Sequence, residues 1–154
     1  MSIISDSLSS EFSIQQSIVE LLLRKKVKKT GILGILPREN TSEYILNQGV
    51  LLHNLLKQNG IEVKINDPYS EKRFIEDSLG CQRFSFPNDL KDMDSIILMT
   101  PHSYYKMYDK INLLSYIKKN LLIVDITGEW ERYSFNLSVD KVDYRCLGRA
   151  KALE

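Results

Sequence analysis

The sequence predicts an α/β fold in which a mostly parallel sheet is covered by helices on both faces. Three observations support this class. Residues 30–68 follow the order strand, long polar loop, helix, strand, which is one βαβ unit. Continuous apolar runs at 95–99 and 121–124 are typical of strands buried on both faces. Helical patterns alternate with these runs, so we expect a Rossmann-like three-layer sandwich.

The first half of the chain starts with a helix and then enters the βαβ unit. Apolar residues recur at near-helical spacing over 12–27, where we predict the first helix. A strand over 30–36 follows. Asn47 is a candidate cap for the next helix, and Gly60 suits the left-handed position after its end. The second strand covers 61–65.

The second half alternates shorter elements. Ser70 is a candidate cap for a short helix that Gly80 closes. In order, we then predict a short strand at 82–86, a turn or short helix at 87–94, a strand at 95–99, a helix at 104–119 and a strand at 121–124. Crossovers between parallel strands are expected to be right-handed.

Composition sets the broad class. The chain has 154 residues, of which 43% are hydrophobic and 27% charged, as in one ordinary globular domain. A net charge of +1 offers no bulk electrostatic attraction to nucleic acid or membrane. Cys81 and Cys146 lack the spacing of a zinc site or a disulfide scaffold, which fits a reduced cytoplasmic setting. No apolar run approaches the roughly 20 residues that cross a membrane, so we expect neither a membrane nor a nucleic-acid partner.

A long polar loop, residues 37–43, follows the first predicted strand. Such loops usually take about 2–6 residues, and ligands of open α/β sheets bind at the carboxyl ends of strands. Arg38 is the loop's only cation, and its guanidinium is suited to hold a diphosphate by paired hydrogen bonds. Thr41 and Ser42 offer hydroxyl groups. The alternative is an ordinary solvated loop arginine.

A second polar segment, 100–103, follows the strand at 95–99. Because it also lies at a carboxyl strand end, His102 is a candidate ligand-facing residue. The alternative is a helix start in which His102 caps the helix or faces solvent. We predict no metal site, because no second His or nearby Cys supports one beside His102. His53 lies on a predicted helix and is interpreted as a surface residue.

The residues from Gly34 onward read GILPRENTSEYILN and, further along, INDP. They run without a gap beside the pattern G-L-A-F-K-x-N-T-D-D-x-R-x-S, then helix, Gly, strand and Y-D-P. This segment resembles the C-terminal UDP-binding domain of the nucleotide-sugar dehydrogenases, most closely the N-acetylmannosamine type. Two later segments, DITGEW at 125–130 and YRCLGR at 144–149, resemble further motifs of the family in the same order.

The resemblance implies a function. The chain would be the UDP-sugar-binding domain of an NAD-dependent UDP-sugar 6-dehydrogenase of polysaccharide biosynthesis, which oxidises a UDP-hexose C6 alcohol to the uronic acid. Arg38 stands where the family has a Lys that contacts the nucleotide sugar, and Thr41 and His102 are further candidate substrate-binding residues. The catalytic cysteine and most NAD contacts of the family lie in an N-terminal NAD-binding domain and a middle domain, which are the expected partners. The chain alone should bind no cofactor and have no dehydrogenase activity.

The residues themselves do not predict an NAD site. The dinucleotide-binding fingerprint G-x-G-x-x-G needs glycines where this chain has Leu33 and Leu36. The acidic Asp67 also lies further on than the usual distance of about 20 residues.

Departures from the family pattern leave an alternative open. Pro37 stands where the family has Phe, Ile45 where it has an Arg that reaches toward NAD, and Thr127 where it has a basic residue. These replacements favour a diverged, non-catalytic module that binds a nucleotide or only a protein. An unrelated flavodoxin-like or receiver-type domain is disfavoured, because Met99 and Thr100 occupy the strand end where a receiver needs Asp.

We divide the chain into an N-terminal linker helix at 1–29, a UDP-binding Rossmann-like domain at 30–150 and a tail at 151–154. The linker helix would correspond to the helical connection from the family's middle domain. Leu153-Glu154 is typical of a cloning scar before a purification tag, which suggests a piece of a longer protein.

Overall fold

The structure is a computed structural model that describes residues 5–35, 48–71 and 74–147. Within those residues, a sheet of six parallel strands forms the centre. The strands are β1 (Lys29–Leu33), β2 (Glu62–Asn66), β3 (Gln82–Arg83), β4 (Ser95–Leu98), β5 (Leu121–Asp125) and β6 (Val142–Cys146). Their order across the sheet is β3-β2-β1-β4-β5-β6, so the direction of winding reverses between β1 and β4.

Helices and short helical turns connect the strands. The α-helices of the described residues are α1 (Ser5–Arg24), α2 (Gln48–Gln58), α3 (Ser103–Lys106), α4 (Lys110–Ser115) and α5 (Leu137–Asp140). A π-helical turn covers Phe74–Ser78, and 3-10 turns cover Asn88–Asp92 and Glu129–Tyr133. In this part of the chain, no helix combines the length and apolar character that a membrane crossing requires.

Two apolar layers hold the sheet between them, which confirms the predicted three-layer sandwich. The residues of α1 and α2 that pack on one face are Ile18, Val19, Leu21, Leu22, Leu52, Leu55 and Leu56. The other face carries a largely aromatic layer of Phe84, Phe86, Tyr105, Trp130 and Tyr133 with Leu90, Met93 and Leu113. Strands β4 and β5 are buried along their whole length between these layers, as their continuous apolar runs predict.

The predicted first strand is shorter in the sheet than expected. It ends at Leu33 because Gly34 turns the backbone into the left-handed region, with φ of +83°. Gly60 adopts the left-handed conformation after α2 that the sequence predicts, with φ of +79°. The predicted cap at Asn47 lies outside the described residues.

The long helix predicted at 104–119 is two short helices, α3 and α4. The chain leaves the helical conformation before α4, where Asp109 is extended with ψ of 172°. Its Oδ1 accepts a hydrogen bond from the backbone N–H of Asn112 at 2.8 Å, which caps α4. A new helix therefore starts inside the predicted one.

The sequence analysis missed β6. This strand lies at the edge of the sheet and only its two terminal residues are buried, so it carries no continuous apolar run. Its polar residues pair with each other, since the Nε of Arg145 lies 2.8 Å from Oδ1 of Asp143. This strand is recognised by its parallel pairing with β5 and not by an apolar sequence.

Candidate functional site

The carboxyl ends of β1 and β4 lie side by side at the point where the strand order reverses. Leu33 and Leu98 are paired there, and the chain leaves the sheet from both strands on the same edge. Open α/β sheets bind their ligands in the crevice at such a switch point. The segment with Arg38 and Thr41 follows β1 directly, but both residues lie outside the described part of the chain, so their roles stay predictions.

Asp67 joins the three strand ends at this edge. Directly after β2, its Oδ2 accepts a hydrogen bond from the backbone N–H of Ile35, beyond β1, at 2.7 Å. The same oxygen lies 3.2 Å from Nε2 of His102, which follows β4. Oδ1 accepts the backbone N–H of Tyr69 at 2.9 Å. The side chains of Asp67 and His102 are both 0% exposed, so the contact between them is shielded from solvent.

His102 therefore neither faces solvent nor caps α3 with its side chain. Its ring centroid lies 4.8 Å from that of Tyr69 and 5.8 Å from that of Tyr105. Because a carboxylate only accepts hydrogen bonds, its contact with Asp67 requires the proton on Nε2. These distances describe contacts within the protein and do not test the predicted contact between His102 and a sugar nucleotide. That contact stays a prediction.

Backbones approach closely beside this cluster. A Cβ built on Gly34 would lie 2.6 Å from Cβ of Thr100 and 2.8 Å from its carbonyl oxygen. The backbone N–H groups of Met99 and Thr100 both donate to the carbonyl of Leu33, at 3.0 and 3.3 Å. The exit of β1 is thus held against the β4 exit on one side and against Asp67 on the other.

Tyr105 extends the cluster into the aromatic layer. Its hydroxyl lies 2.7 Å from the carbonyl oxygen of Asn66 and 2.8 Å from Oδ1 of the same residue. Burial, with the negative charge of Asp67 as a lesser cause, raises the pKa of the Tyr105 hydroxyl well above its ordinary value. The hydroxyl is therefore a fixed hydrogen-bond donor and not an acid at neutral pH.

An open cleft of about 500 Å³ lies next to this cluster, at the ends of β2 and β3. Its described lining is mainly polar and includes Asn66, Asp67, Ser70, Glu76, Arg83, Ser85, Asp89 and Tyr104. The Asp67 side chain is buried, so the cleft is faced by two carboxylates, Glu76 and Asp89, and one guanidinium, Arg83. The Nε of Arg83 lies 3.5 Å from Oε1 of Glu76. This part of the lining does not attract a diphosphate, so a cation that binds one must come from elsewhere.

Asp125, at the end of β5, is a structural turn residue. Its Oδ1 accepts hydrogen bonds from the backbone N–H groups of Thr127 and Gly128 and from the Thr127 hydroxyl. Its Oδ2 accepts the backbone N–H of Trp130 and the hydroxyl of Tyr144. Five donors therefore occupy the Asp125 carboxylate. Thr127 supplies two of them, so its side chain has a structural role in this turn.

The other candidates for chemistry are buried. His53 is not the predicted surface residue: it is 2% exposed, and burial is the main cause that lowers its pKa. Burial also raises the pKa of the Cys81 thiol to about 11, so the thiol stays protonated at neutral pH. Among the residues that the structure describes, no group of three His, Cys, Asp or Glu side chains is placed to hold a metal ion.

Sequence reasoning missed Asp67 and Tyr105 as members of the site. The Asp-Pro turn at the end of a predicted strand was the available signal for Asp67. In dinucleotide-binding domains, an acidic residue near the end of the second strand binds a ribose. Here Asp67 points inward to Ile35 and His102 instead. The fold and this cluster define a Rossmann-like domain, and the sequence at its switch point lacks the dinucleotide-binding fingerprint.

Comparison with known proteins identifies the family. Residues 31–132 match the UDP binding domain of the UDP-glucose/GDP-mannose dehydrogenase family, and the chain belongs to this family. It is 27% identical over 123 residues to UDP-N-acetyl-D-mannosamine dehydrogenase of Methanococcus aeolicus, a match that covers 72% of this chain and 26% of that protein.

Solved structures share the fold. A UDP-glucose dehydrogenase from Pyrobaculum islandicum superposes with a TM-score of 0.58 at 21% identity, over 73% of this chain and 26% of that one. An NDP-N-acetyl-D-galactosaminuronic acid dehydrogenase from Methanosarcina mazei superposes with a TM-score of 0.68 at 18% identity, over 90% and 29% of the two chains. The chain spans between a quarter and a third of the length of these relatives.

Proposed function

We propose that this chain binds the nucleotide part of a UDP-sugar as the C-terminal domain of a cytoplasmic, NAD-dependent UDP-sugar 6-dehydrogenase. The family supports UDP as the ligand. The observation that carries the proposal is the placement of the β1 exit at the switch point of the sheet, directly before Arg38. In open α/β sheets this is where a ligand meets the loops of the domain.

Arg38 has the central role in this proposal. A guanidinium forms paired, charge-assisted hydrogen bonds with phosphate oxygens. The described lining of the neighbouring cleft carries more carboxylates than cations, so it adds no charge that would attract a diphosphate. Arg38 would supply that charge, and the Thr41 hydroxyl would donate a further hydrogen bond.

The chemistry would belong to the whole enzyme. Oxidation of a C6 alcohol to a carboxylate releases four electrons, and NAD⁺ bound mainly by other domains would accept them as two hydrides. Water would supply the second carboxylate oxygen. The N-terminal NAD-binding and middle domains would join this chain through the linker assigned to residues 1–29, whose helix α1 packs on α2 in the same apolar layer.

Titration of the chain with UDP by isothermal calorimetry tests the proposal. We expect one bound UDP, and we expect Arg38→Ala to weaken binding at least about tenfold. The reason is that a hydrogen bond to a charged group contributes about 1.5–3 kcal/mol, and about 1.4 kcal/mol is tenfold in affinity. Arg38→Lys, which restores the family residue, should retain binding. Arg24→Ala, at the end of α1 on the opposite edge, should bind like the parent. Equal binding by Arg38→Ala would contradict the assignment.

A further inference from the structure

We propose that Asp67 and His102 are positioning residues for UDP binding, which hold the backbone at Ile35 and so fix where the following segment leaves the sheet. This inference rests on the proposed function, and it adds two residues whose effect is carried by the backbone at Ile35. Asp67 acts on Ile35 directly, whereas His102 acts through Asp67.

The first step is that the Asp67 carboxylate cannot move without losing the hydrogen bonds that compensate for its burial. A buried carboxylate is costly unless hydrogen bonds compensate for its lost hydration. Among the described residues, the donors that reach it include the backbone N–H groups of Ile35 and Tyr69 and the Nε2 of His102. These donors belong to the exits of three different strands, so their common acceptor fixes those exits relative to one another.

The second step is the short distance along the chain from Ile35 to Arg38. Arg38 is three residues further on, and consecutive Cα atoms lie about 3.8 Å apart, so the two Cα atoms lie within about 11 Å. Hydrogen bonds from a guanidinium to phosphate tolerate changes of only a few tenths of an ångström. A shift of Ile35 therefore changes the starting point of the segment that carries the cation.

The third step is that both sides of the β1 exit are held. Gly34 contacts Thr100 so closely that no side chain fits between them. The other side is held by Asp67, whose second oxygen is fixed by Tyr69. The Tyr69 ring in turn packs on His102. Loss of the acceptor at Asp67 would leave the Gly34 side as the remaining constraint among these contacts.

Asp67→Asn tests the proposal, because asparagine has the same shape but one acceptor oxygen and an amide that donates. At least one donor then faces an N–H₂ group, and the oxygen that remains is a neutral amide oxygen, which accepts hydrogen bonds more weakly than a carboxylate does. We expect faster amide hydrogen exchange at Ile35 in the ligand-free chain and UDP affinity at least about tenfold weaker. In the double variant with Arg38→Ala, UDP should bind no more weakly than in Arg38→Ala alone, because both changes act on one contact.

Asp125→Asn is the matched control, since Asp125 is also a buried strand-end carboxylate on the same edge. It should lower the melting temperature but leave Ile35 exchange and UDP affinity unchanged. His102→Gln, which keeps an N–H donor, should bind UDP more tightly than His102→Ala. If Asp67→Asn fails to fold, the two His102 variants still test the proposal. Equal UDP affinity of His102→Gln and His102→Ala would then overturn it.

The outcomes separate this inference from the proposed function. Unchanged Ile35 exchange in Asp67→Asn overturns the proposal, as does an equal loss of UDP affinity in Asp125→Asn. Faster Ile35 exchange with unchanged UDP affinity also overturns it, because the strand exit then has no influence on the ligand. If the parent chain binds no UDP while Ile35 exchange responds as expected, the proposed function fails and the structural hold of Asp67 on β1 stands.

Discussion

At the scale of single residues, aspartates close the ends of the parallel strands at both edges of the sheet. At the amino edge, Oδ2 of Asp94 accepts the backbone N–H groups of Lys28 and Lys29, each at 3.0 Å. Asp67 and Asp125 do the same at the carboxyl edge. Strand ends leave backbone donors that the sheet does not pair, and a carboxylate can accept several of them.

Alanine substitutions at two glycines, Gly34 and Gly60, distinguish the energetic cost of backbone strain from that of a steric clash. Gly34 and Gly60 both have positive φ, but a Cβ at Gly34 would meet Thr100 at 2.6 Å, whereas one at Gly60 would meet nothing within 4 Å. We expect Gly60→Ala to lower the free energy of unfolding by about 1 kcal/mol, from strain alone. Gly34→Ala should cost at least about 2 kcal/mol more, because overpacking adds to the strain.

Urea denaturation of both alanine variants beside the parent chain measures these free energies. A Gly34→Ala variant no less stable than Gly60→Ala would show that the backbone at Thr100 can move away. The β1 exit would then be less rigidly held than the contact implies.

His102 shows how far residue-level prediction reaches. Its place after a buried strand makes it a candidate from sequence alone. Its partner Asp67 is 35 residues earlier in the chain. The two meet only because β1 lies between β2 and β4, and no local pattern in the sequence encodes that order. Arg38 and Thr41 depend on the family resemblance for their roles.

At the scale of elements, burial decides which strands the sequence reveals. Strands β4 and β5 lie inside the sheet and are apolar except for Ser95 and Asp125 at their ends, so both are predicted within one residue of each bound. The edge strand β6 is half-exposed and carries Asp143 and Arg145, which hides it. A continuous apolar run indicates a strand that is buried on both faces of the sheet. An edge strand need not be buried in this way, so it need not contain such a run.

The start of α4 offers a test of why the predicted long helix divides. We expect Asp109→Ala to destabilise the chain by about 1 kcal/mol, because the backbone N–H of Asn112 loses its acceptor. Asp109→Asn should be nearly neutral, since asparagine caps about as well as aspartate. Thermal unfolding followed by circular dichroism measures both. Equal stability of Asp109→Ala and the parent would mean that tertiary packing, and not the cap, starts α4.

At the scale of the whole molecule, Asp94 ties together β1, β4 and the segment before β5. Partial burial acts to raise the pKa of Asp94, but hydrogen bonds from Lys119 and from the backbone of Lys28 and Lys29 outweigh it and lower the pKa. A carboxyl whose pKa is lower in the folded state stabilises the fold above its unfolded pKa of about 3.9. That stabilisation is lost as the pH falls through the folded value.

We therefore expect Asp94→Asn to be less stable than the parent chain near pH 6, with a difference that shrinks as the pH falls below about 4. Urea denaturation at a series of pH values measures this difference. Asp89→Asn is a comparison variant, because Asp89 accepts a local backbone hydrogen bond from Ser85 and joins no strands. A difference between Asp94→Asn and the parent that stays constant down to pH 2–3 would contradict the role of the Asp94 charge.

The sequence alone determined the fold class, the βαβ unit, the buried strands β4 and β5 and the family. These features depend on local spacing, on burial that shows as apolar runs, and on motif order along the chain. Only the tertiary structure decided the order β3-β2-β1-β4-β5-β6, the edge strand β6, and the cluster in which Asp67 meets Ile35 and His102. The physical reason is that strand order and contacts between distant residues follow from packing the whole chain, which no single window of sequence contains.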